Sequence, residues 1–336
     1  MPAHRYHDLW DGFPTFDRLV RGFYRSASAK FDRDAVQRFH VALEYQILNI
    51  RESLIAETYK WGEYRRFWVM DPKLRLIESA PFRDRIVHQA LVEVLDPVID
   101  PTLYYHSYAC RSGRGTHAAV RQLQTWVGNR PQWHFLQMDV TKFFPSIDRE
   151  TLFKLVQQKI ADEKMLRLIQ ALLFSAPGNN GIPIGNLTSQ LFANLYLNPL
   201  DQYIKRELKI PFYLRYMDDI VLLAKDQTFL NQARLQVEAF AREKLKLSFH
   251  PSKIACGKVS DGISFVGYRS FPSGIYMRSK SVRRFRKKFK TKVPLDEKVR
   301  RYLSYQGHLR HAKDGEKILR EFRIKAFSEY NSDLPE

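Results

Sequence analysis

Apolar residues recur at two spacings along this 336-residue chain, and the changes of spacing mark its elements. Residues 31–58 carry helical spacing, and 1–62 as a whole reads as an N-terminal helical extension. "EYRRFWVMDPKLRLIES" (63–79) predicts two short strands around a turn at Asp71-Pro72. "FRDRIVHQALVEVLDPVI" (82–99) returns to helical spacing, with Ile86, Ala90, Val94 and Val98 on one face. "CRSGRGTHAAVRQLQTWV" (110–127) is a Gly-rich basic loop entering a helix, and "WHFLQMDV" (133–140) is a strand. Asp148 can cap a helix over 149–160 by accepting a bond from a first-turn N–H. A second helix covers 163–174, and "SAPGNNGIPIG" is a loop. A long apolar helix follows over 187–208, which Pro199 should kink or divide for want of an N–H.

The pattern then alternates. "PFYLRYM" and "IVLLAK" predict strands flanking Asp218-Asp219, followed by a helix over 227–245. Residues 248–277 read as short strands, with hairpin-turn signals at Asp261-Gly262 and at "PSG" (272–274). Beyond Arg278, "RSKSVRRFRKKFKTK" carries many positive charges and no acid, with Phe285 and Phe289 on one helical face. The tail is helical and is assigned with it to a small basic subdomain.

Composition narrows the class. The chain is 44% hydrophobic and 13% aromatic, which supports a sizeable core. Its 55 basic and 36 acidic residues leave a formal charge of +19, so a polyanion is the expected partner: nucleic acid first, an anionic membrane surface second. No window approaches the ~20 apolar residues of a membrane span, and the first ten residues lack the apolar core of a signal peptide. Cys110 and Cys256 form no metal or disulfide pattern, and a reducing cytoplasm is expected. His308 and His311 read as surface histidines.

The chemistry rests on carboxylates. Asp139 ends one predicted strand, and Asp218 and Asp219 sit at the tip of two others. If these strands are neighbours, Asp139 and Asp218 can face each other. Two close carboxylates repel, and one protonates unless a cation intervenes. Oxygen ligands without competing nitrogen or sulfur select Mg²⁺ or Mn²⁺. Two such ions about 3.5–4 Å apart stabilise both the attacking and the leaving oxygen of a phosphoryl displacement. A solvated acidic turn is the plain alternative, but "RYMDDIVLL" is apolar on both sides.

"YMDD" at Tyr216 to Asp219 resembles the catalytic signature of reverse transcriptases. Further motifs follow that family's order. "KLRLIESAPFRDRIVHQAL" and "YACRSGRGTHAAV" resemble its fingers motifs. "MDVTKFFPSID", "GIPIGNLTSQLFANLYLNPLD", "LSFHPSKI" and "ISFVGYRSF" resemble those of its palm. The resemblance implies an α/β right-hand polymerase with an α+β palm and a short helical thumb. Its expected parts are fingers over 63–132, palm over 133–149, helices and loop over 150–182, palm again over 183–274, and thumb over 275–336.

It also implies roles. Asp139 and Asp218 bridge two Mg²⁺ ions, with the Val140 carbonyl as a further ligand and Asp219 in support. Lys73 and Arg75 pair with the incoming triphosphate, and Phe144 excludes a 2′-hydroxyl and so selects dNTPs. Lys253 matches a lysine that protonates pyrophosphate. Phe265, Val266, Gly267 and Tyr268 form the primer grip. Arg278, Lys280, Arg283, Arg284, Arg286 and Lys287 follow the RNA–cDNA duplex, contacting phosphates and sugars.

One stretch narrows the family. Ile184 precedes Gly185 where most reverse transcriptases carry Gln, and Gln190 follows Ser189 where most carry Pro. This pattern resembles the group II intron-like reverse transcriptases of bacterial and phage diversity-generating retroelements. Ile in place of Gln removes an amide near the nascent pair, and selectivity that rests on a polar contact goes with it. The resemblance further implies errors at template adenines, a template RNA and a small oligomeric accessory variability protein. The alternatives are a retron, phage-defence or group II intron enzyme, an RNA polymerase, and a catalytically silent RNA-binding scaffold.

Overall fold

The computed structural model describes residues 5–70, 73–289 and 293–327, and the chain is mixed α/β. It divides into two units: Met1–Cys110, Val140–Leu208 and Gln236–His250 in the first, and Arg111–Asp139, Lys209–Leu235 and Pro251–Glu336 in the second. These units do not follow the expected segments. Residues 111–132, expected with the fingers, fall in the second unit, and 183–208, expected with the palm, fall in the first. The cause is packing: helix Thr116–Val127 lies against strands of the second unit, and helix Leu187–Gln202 against Phe82–Ile99.

In the first unit, Thr15 caps helix Phe16–Ala27, its Oγ1 accepting the Arg18 N–H at 3.4 Å. Gly22 lets this helix press on Phe82–Ile99; a Cβ there would stand 2.7 Å from the Ile86 carbonyl oxygen. Residues 31–58 are not one helix. The chain breaks at Ala42 (φ −116°, ψ 35°) between Asp34–Val41 and Leu43–Ile55. Val41 at the break is β-branched and 90% exposed, so neither propensity nor burial holds the turn.

Strands β1 (Arg65–Met70) and β2 (Leu74–Ser79) pair antiparallel from Arg65↔Ser79 to Met70↔Leu74. The turn expected at Asp71-Pro72 lies outside the described residues. Asp148 caps Arg149–Gln157, accepting the Thr151 N–H at 2.9 Å and pairing with Lys246 at 2.9 Å. The buried Arg149 guanidinium donates to the carbonyls of Ala176, Pro177, Gly178, Asn180 and Gly181, which fixes that loop. Pro199 neither divides nor ends its helix, which runs over Leu187–Gln202. A wide turn, Tyr203–Glu207, follows, and the Tyr203 N–H reaches the Pro199 and Leu200 carbonyls. Burial along nearly the whole helix outweighs one missing N–H.

In the second unit, β3 (His134–Asp139), β4 (Phe212–Tyr216), β5 (Asp219–Ala224) and β6 (Ala255–Lys258) form an antiparallel sheet in the order β4-β5-β3-β6. A three-stranded sheet holds β7 (Ile263–Phe265), β8 (Tyr268–Phe271) and β9 (Gly274–Met277). Asp261-Gly262 is not a hairpin turn. It ends the short turn Val259–Asp261, because β6 and β7 belong to different sheets. The hairpin turns are Val266-Gly267 and Pro272-Ser273.

Helices Ser279–Phe289, Leu295–Leu309 and Gly315–Phe327 follow. Phe285 stacks on Tyr305 at 4.1 Å, beside the fully buried Phe322. Phe289's side chain and residues 290–292 lie outside the described residues. His308 is exposed, as expected of a surface histidine, and His311 is part-exposed. Their rings stand 5.6 and 3.8 Å from that of His117. Burial, with the charges of Arg310 and Arg121, holds His311 below its ordinary pKa. Both cysteines are free and exposed. Among the described residues, no helix is long and apolar enough to cross a membrane.

Candidate active site

Antiparallel pairing of β3 with β5 sets Asp139 opposite Asp219, and β4 sets Tyr216 opposite the same residue. The expected facing pair is Asp139 with Asp218. In backbone register Asp219 lies across from Asp139, and Asp218 is on the adjoining two-residue turn Met217-Asp218. Met217 adopts φ 54°, a conformation L-residues visit at a cost. Arg215, fully buried, donates Nη1 to the Met217 carbonyl at 3.1 Å and so braces the turn from beneath. The Tyr216 hydroxyl meets Thr116 Oγ1 at 3.1 Å.

Residues two apart on a strand share a face, so Gln137 and Asp139 stand together. Gln137 Nε2 donates to Asp219 Oδ1 at 2.9 Å. Burial pushes the Asp219 carboxyl up to about 7, and the charges of Asp139 and Asp218 add to this; the Gln137 bond and the Lys253 charge oppose it. Lys253, from the turn Pro251–Lys253, sets its ammonium on Asp139 Oδ1. In this structure it offsets an aspartate's charge.

Among the described residues, no group of three His, Cys, Asp or Glu side chains is arranged to hold a metal alone. Mg²⁺ is usually bound through one or two carboxylates together with substrate phosphates and waters. The donors here are all oxygen, and burial, with the charges of Asp139 and Asp218 added to it, drives Asp219 toward protonation. Oxygen donors of this kind fit a divalent ion that arrives with a triphosphate. Val140 is buried, in an antiparallel bridge to Phe249, and the Thr141 N–H donates to the Ser248 carbonyl at 2.8 Å.

The second unit thus brings together Asp139, Asp218, Asp219 and Lys253. Gln137 and Arg215 are absent from the residues singled out by motif. A polar residue two before a strand-end aspartate, and an arginine inside the apolar run of β4, are the signals that point to them.

The nucleotide residues expected from the motifs lie in the first unit. Lys73 and Arg75 are exposed on the β1–β2 hairpin and make no ion pair among the described residues. Phe143 is buried and Phe144 part-exposed; the Phe144 carbonyl accepts the Ile182 N–H at 3.0 Å. The Ile184 carbonyl accepts the Glu78 N–H of β2 at 3.2 Å. Gly185 is exposed at φ 131°, and Gln190 is part-exposed.

The expected primer grip needs one correction. Phe265 and Tyr268 are 1% exposed, so their rings are core and not contact surface. Phe265 meets Tyr216 edge-on at 6.5 Å, and the Tyr268 hydroxyl donates to the His308 carbonyl at 2.8 Å. The accessible part is the turn Val266-Gly267, with φ 40° and 94°. The Gly267 carbonyl accepts the Arg278 N–H and the Ser281 hydroxyl, both at 3.2 Å.

On helix Ser279–Phe289, Val282 and Phe285 are buried, while Lys280, Arg283, Arg284, Arg286 and Lys287 are exposed, as is Arg278 before it. Arg286 is engaged by Glu321 through two bonds of 3.0 and 2.8 Å.

Paired aspartates on a β-hairpin, next to a strand ending in a third, are the acidic arrangement expected of a nucleotidyl-transferring polymerase. Comparison with known proteins carries this to a family. The family described as "Reverse transcriptase (RNA-dependent DNA polymerase)" matches residues 70–270, and the chain belongs to it.

The chain is 28% identical over 282 residues to Protein YkfC of Escherichia coli (strain K12), covering 68% of this chain and 71% of that one. It is 24% identical over 375 residues to Group II intron-encoded protein LtrA of Lactococcus lactis subsp. cremoris, covering 87% of this chain and 62% of LtrA. In fold it resembles telomerase from Candida albicans in complex with a fragment of telomeric RNA. There the TM-score is 0.53 at 11% identity, over 86% of this chain and 60% of that one. The chain therefore spans less than two thirds of LtrA and of that telomerase.

Proposed function

We propose that this protein copies a template RNA into cDNA, and that it does so at low fidelity, as a diversity-generating retroelement enzyme. The observation that carries the polymerase reading is the register of β3 against β5, which gathers Asp139, Asp218 and Asp219 at one end of a sheet. Bound Mg²⁺ would supply charge neutralisation on the triphosphate and activation of the primer 3′-hydroxyl. Asp139 and Asp218 hold that charge in place. Asp219 is oriented by Gln137, and Arg215 keeps the turn in its left-handed form. Lys253 supplies positive charge beside Asp139, where the phosphates of the nucleotide gather.

Lys73 and Arg75 are read as triphosphate partners, Arg as a planar fork and Lys as a point charge. Phe144 selects dNTPs over rNTPs. The turn Val266-Gly267 offers backbone to the primer end. Arg278, Lys280, Arg283, Arg284 and Lys287 track duplex phosphates. Segments 63–132, 133–149, 150–182, 183–274 and 275–336 keep the functional names fingers, palm and thumb in this reading, whatever their packing.

The low-fidelity reading rests on Ile184, Gly185 and Gln190. The Ile184 carbonyl is tied to β2, so an apolar side chain is fixed where most of the family presents an amide. In this reading the partners are a template RNA, its RNA–cDNA duplex and a small accessory protein, in a bacterial cytoplasm. A second reading, a group II intron-type enzyme, is favoured by the likeness to LtrA.

One experiment separates them. Primer extension on an RNA template with Mg²⁺ is followed by sequencing of the cDNA, for wild type and Ile184→Gln. Errors concentrated opposite template adenines, and reduced by the substitution, support the retroelement reading. Accurate wild-type synthesis favours the intron type. No dNTP incorporation, with or without native RNA and accessory protein, removes the polymerase assignment.

A further inference from the structure

Helix Leu43–Ile55 has two apolar faces. Ile47, Ile50 and Leu54 are buried against the first unit. On the opposite side Tyr45 is 66% exposed, Leu48 36% and Ile55 46%, and Val41 just before the helix is 90% exposed. Within the helix, positions 45, 48, 52 and 55 alternate steps of three and four, the spacing of a helix–helix seam, and Val41 lies beyond the break at Ala42. Only Glu52 interrupts it.

In a chain of formal charge +19 this helix carries two acids, Glu44 and Glu52, and one base, Arg51. Such a face does not suit RNA. It suits an apolar protein surface.

Its flanks point to the occupant. Glu44 and Arg51 are one heptad apart on the same side of the seam, and neither makes an ion pair among the described residues. When two copies of this helix lie antiparallel, these flanking positions face each other. Glu44 of each copy meets Arg51 of the other, twice, while Tyr45 and Leu48 of both copies close over the centre. In that arrangement the flanks are complementary to themselves in charge, as a two-fold interface requires.

We propose that the protein associates with a second copy of itself through the outer face of helix Leu43–Ile55. One such helix from each copy forms a small interface, below the ~1,200 Å² of a standard one. The dimer should therefore form only as the protein concentration is raised.

Sedimentation equilibrium of the full chain tests this, after nuclease treatment and high-salt purification. Wild type should shift toward dimer as concentration rises to about 100 μM. Leu48→Asn, with unchanged circular dichroism, should raise the dissociation constant at least tenfold. Glu44→Arg and Arg51→Glu should each weaken association, and the double reversal should restore it. A wild type that stays monomeric overturns the proposal, as does a dimer indifferent to Leu48→Asn. Failure of the double reversal to rescue overturns the antiparallel pairing. The same variants should leave primer extension by the monomer unchanged, which separates this result from any failure of the polymerase reading.

Discussion

Replacing Gln137 by Leu tests whether the site depends on the orientation of Asp219. Gln137 Nε2 holds Asp219 Oδ1 at 2.9 Å. Leucine keeps much of the volume and removes the donor. A hydrogen bond to a charged group is worth about 1.5–3 kcal/mol, and about 1.4 kcal/mol is tenfold in rate. The expected loss in kcat is therefore roughly 10- to 100-fold. The KM for dNTP should hold, because Gln137 positions a carboxylate and binds no substrate; kcat and kcat/KM then fall together. The assay is steady-state primer extension with Mg²⁺, alongside circular dichroism and thermal melting. Gln137→Asn, with its amide one methylene shorter, should recover part of the loss. A folded Leu variant within about twofold of wild-type kcat would refute the reasoning and make the bond incidental.

Three further outcomes are expected. His88 is 2% exposed, accepts or donates one bond to Thr188 at 2.9 Å, and burial, with the charge of Arg85, pushes its pKa down to about 3. The unfolded chain takes up a proton below its ordinary 6.5 that the folded chain refuses, so this contribution to stability is full above that pH and is lost as pH falls toward 3. Between pH 6.5 and 5 the loss is about 2 kcal/mol, read by denaturant unfolding of wild type against His88→Gln. Val266 holds φ 40°, which costs a β-branched residue about 1–2 kcal/mol; Val266→Asn should raise the melting temperature, and a lower one would mean that the valine packs better than its backbone suggests. Neutralising Arg283, Arg284 and Lys287 should reduce the slope of log K for duplex binding against log salt by about 0.7–0.9 for each phosphate left without its cation, whereas Arg286→Ala should lower thermal stability instead, since Glu321 already engages it.

Much of the site is legible in the residues, for identifiable reasons. Strand alternation and apolar flanks around Asp218-Asp219 announce the hairpin, and a strand-end Asp139 announces its neighbour. Register is not legible: a shift of one residue decides whether Asp218 or Asp219 stands across from Asp139, and only the pairing of β5 with both β3 and β4 fixes it. Asp261-Gly262 carries a local turn signal, but a dipeptide cannot tell a hairpin from a passage between two sheets. The missing N–H of Pro199 is a local fact, whereas the burial of its helix is a property of distant segments. The aromatics of "SFVGYRSF" are legible as a motif, yet which of them face inward depends on the strand pleat and on helices contributed much later in the chain. The contacts of His117 with His308 and His311 join residues almost two hundred positions apart, and no local pattern forecasts them.

The interleaving of the two units bears on how the protein is made. The first is not complete until Gln236–His250 has been added, and the second draws on residues to the end of the chain. A ribosome must deliver about three quarters of the polypeptide before either can close, so a nascent chain carries its apolar segments unburied for most of synthesis. Contacts of such long sequence separation slow folding, and exposed intermediates of this kind aggregate readily. Chaperone supply and translation speed should therefore govern the yield of active enzyme, and shortened forms ending before residue 250 should be recovered only as insoluble material.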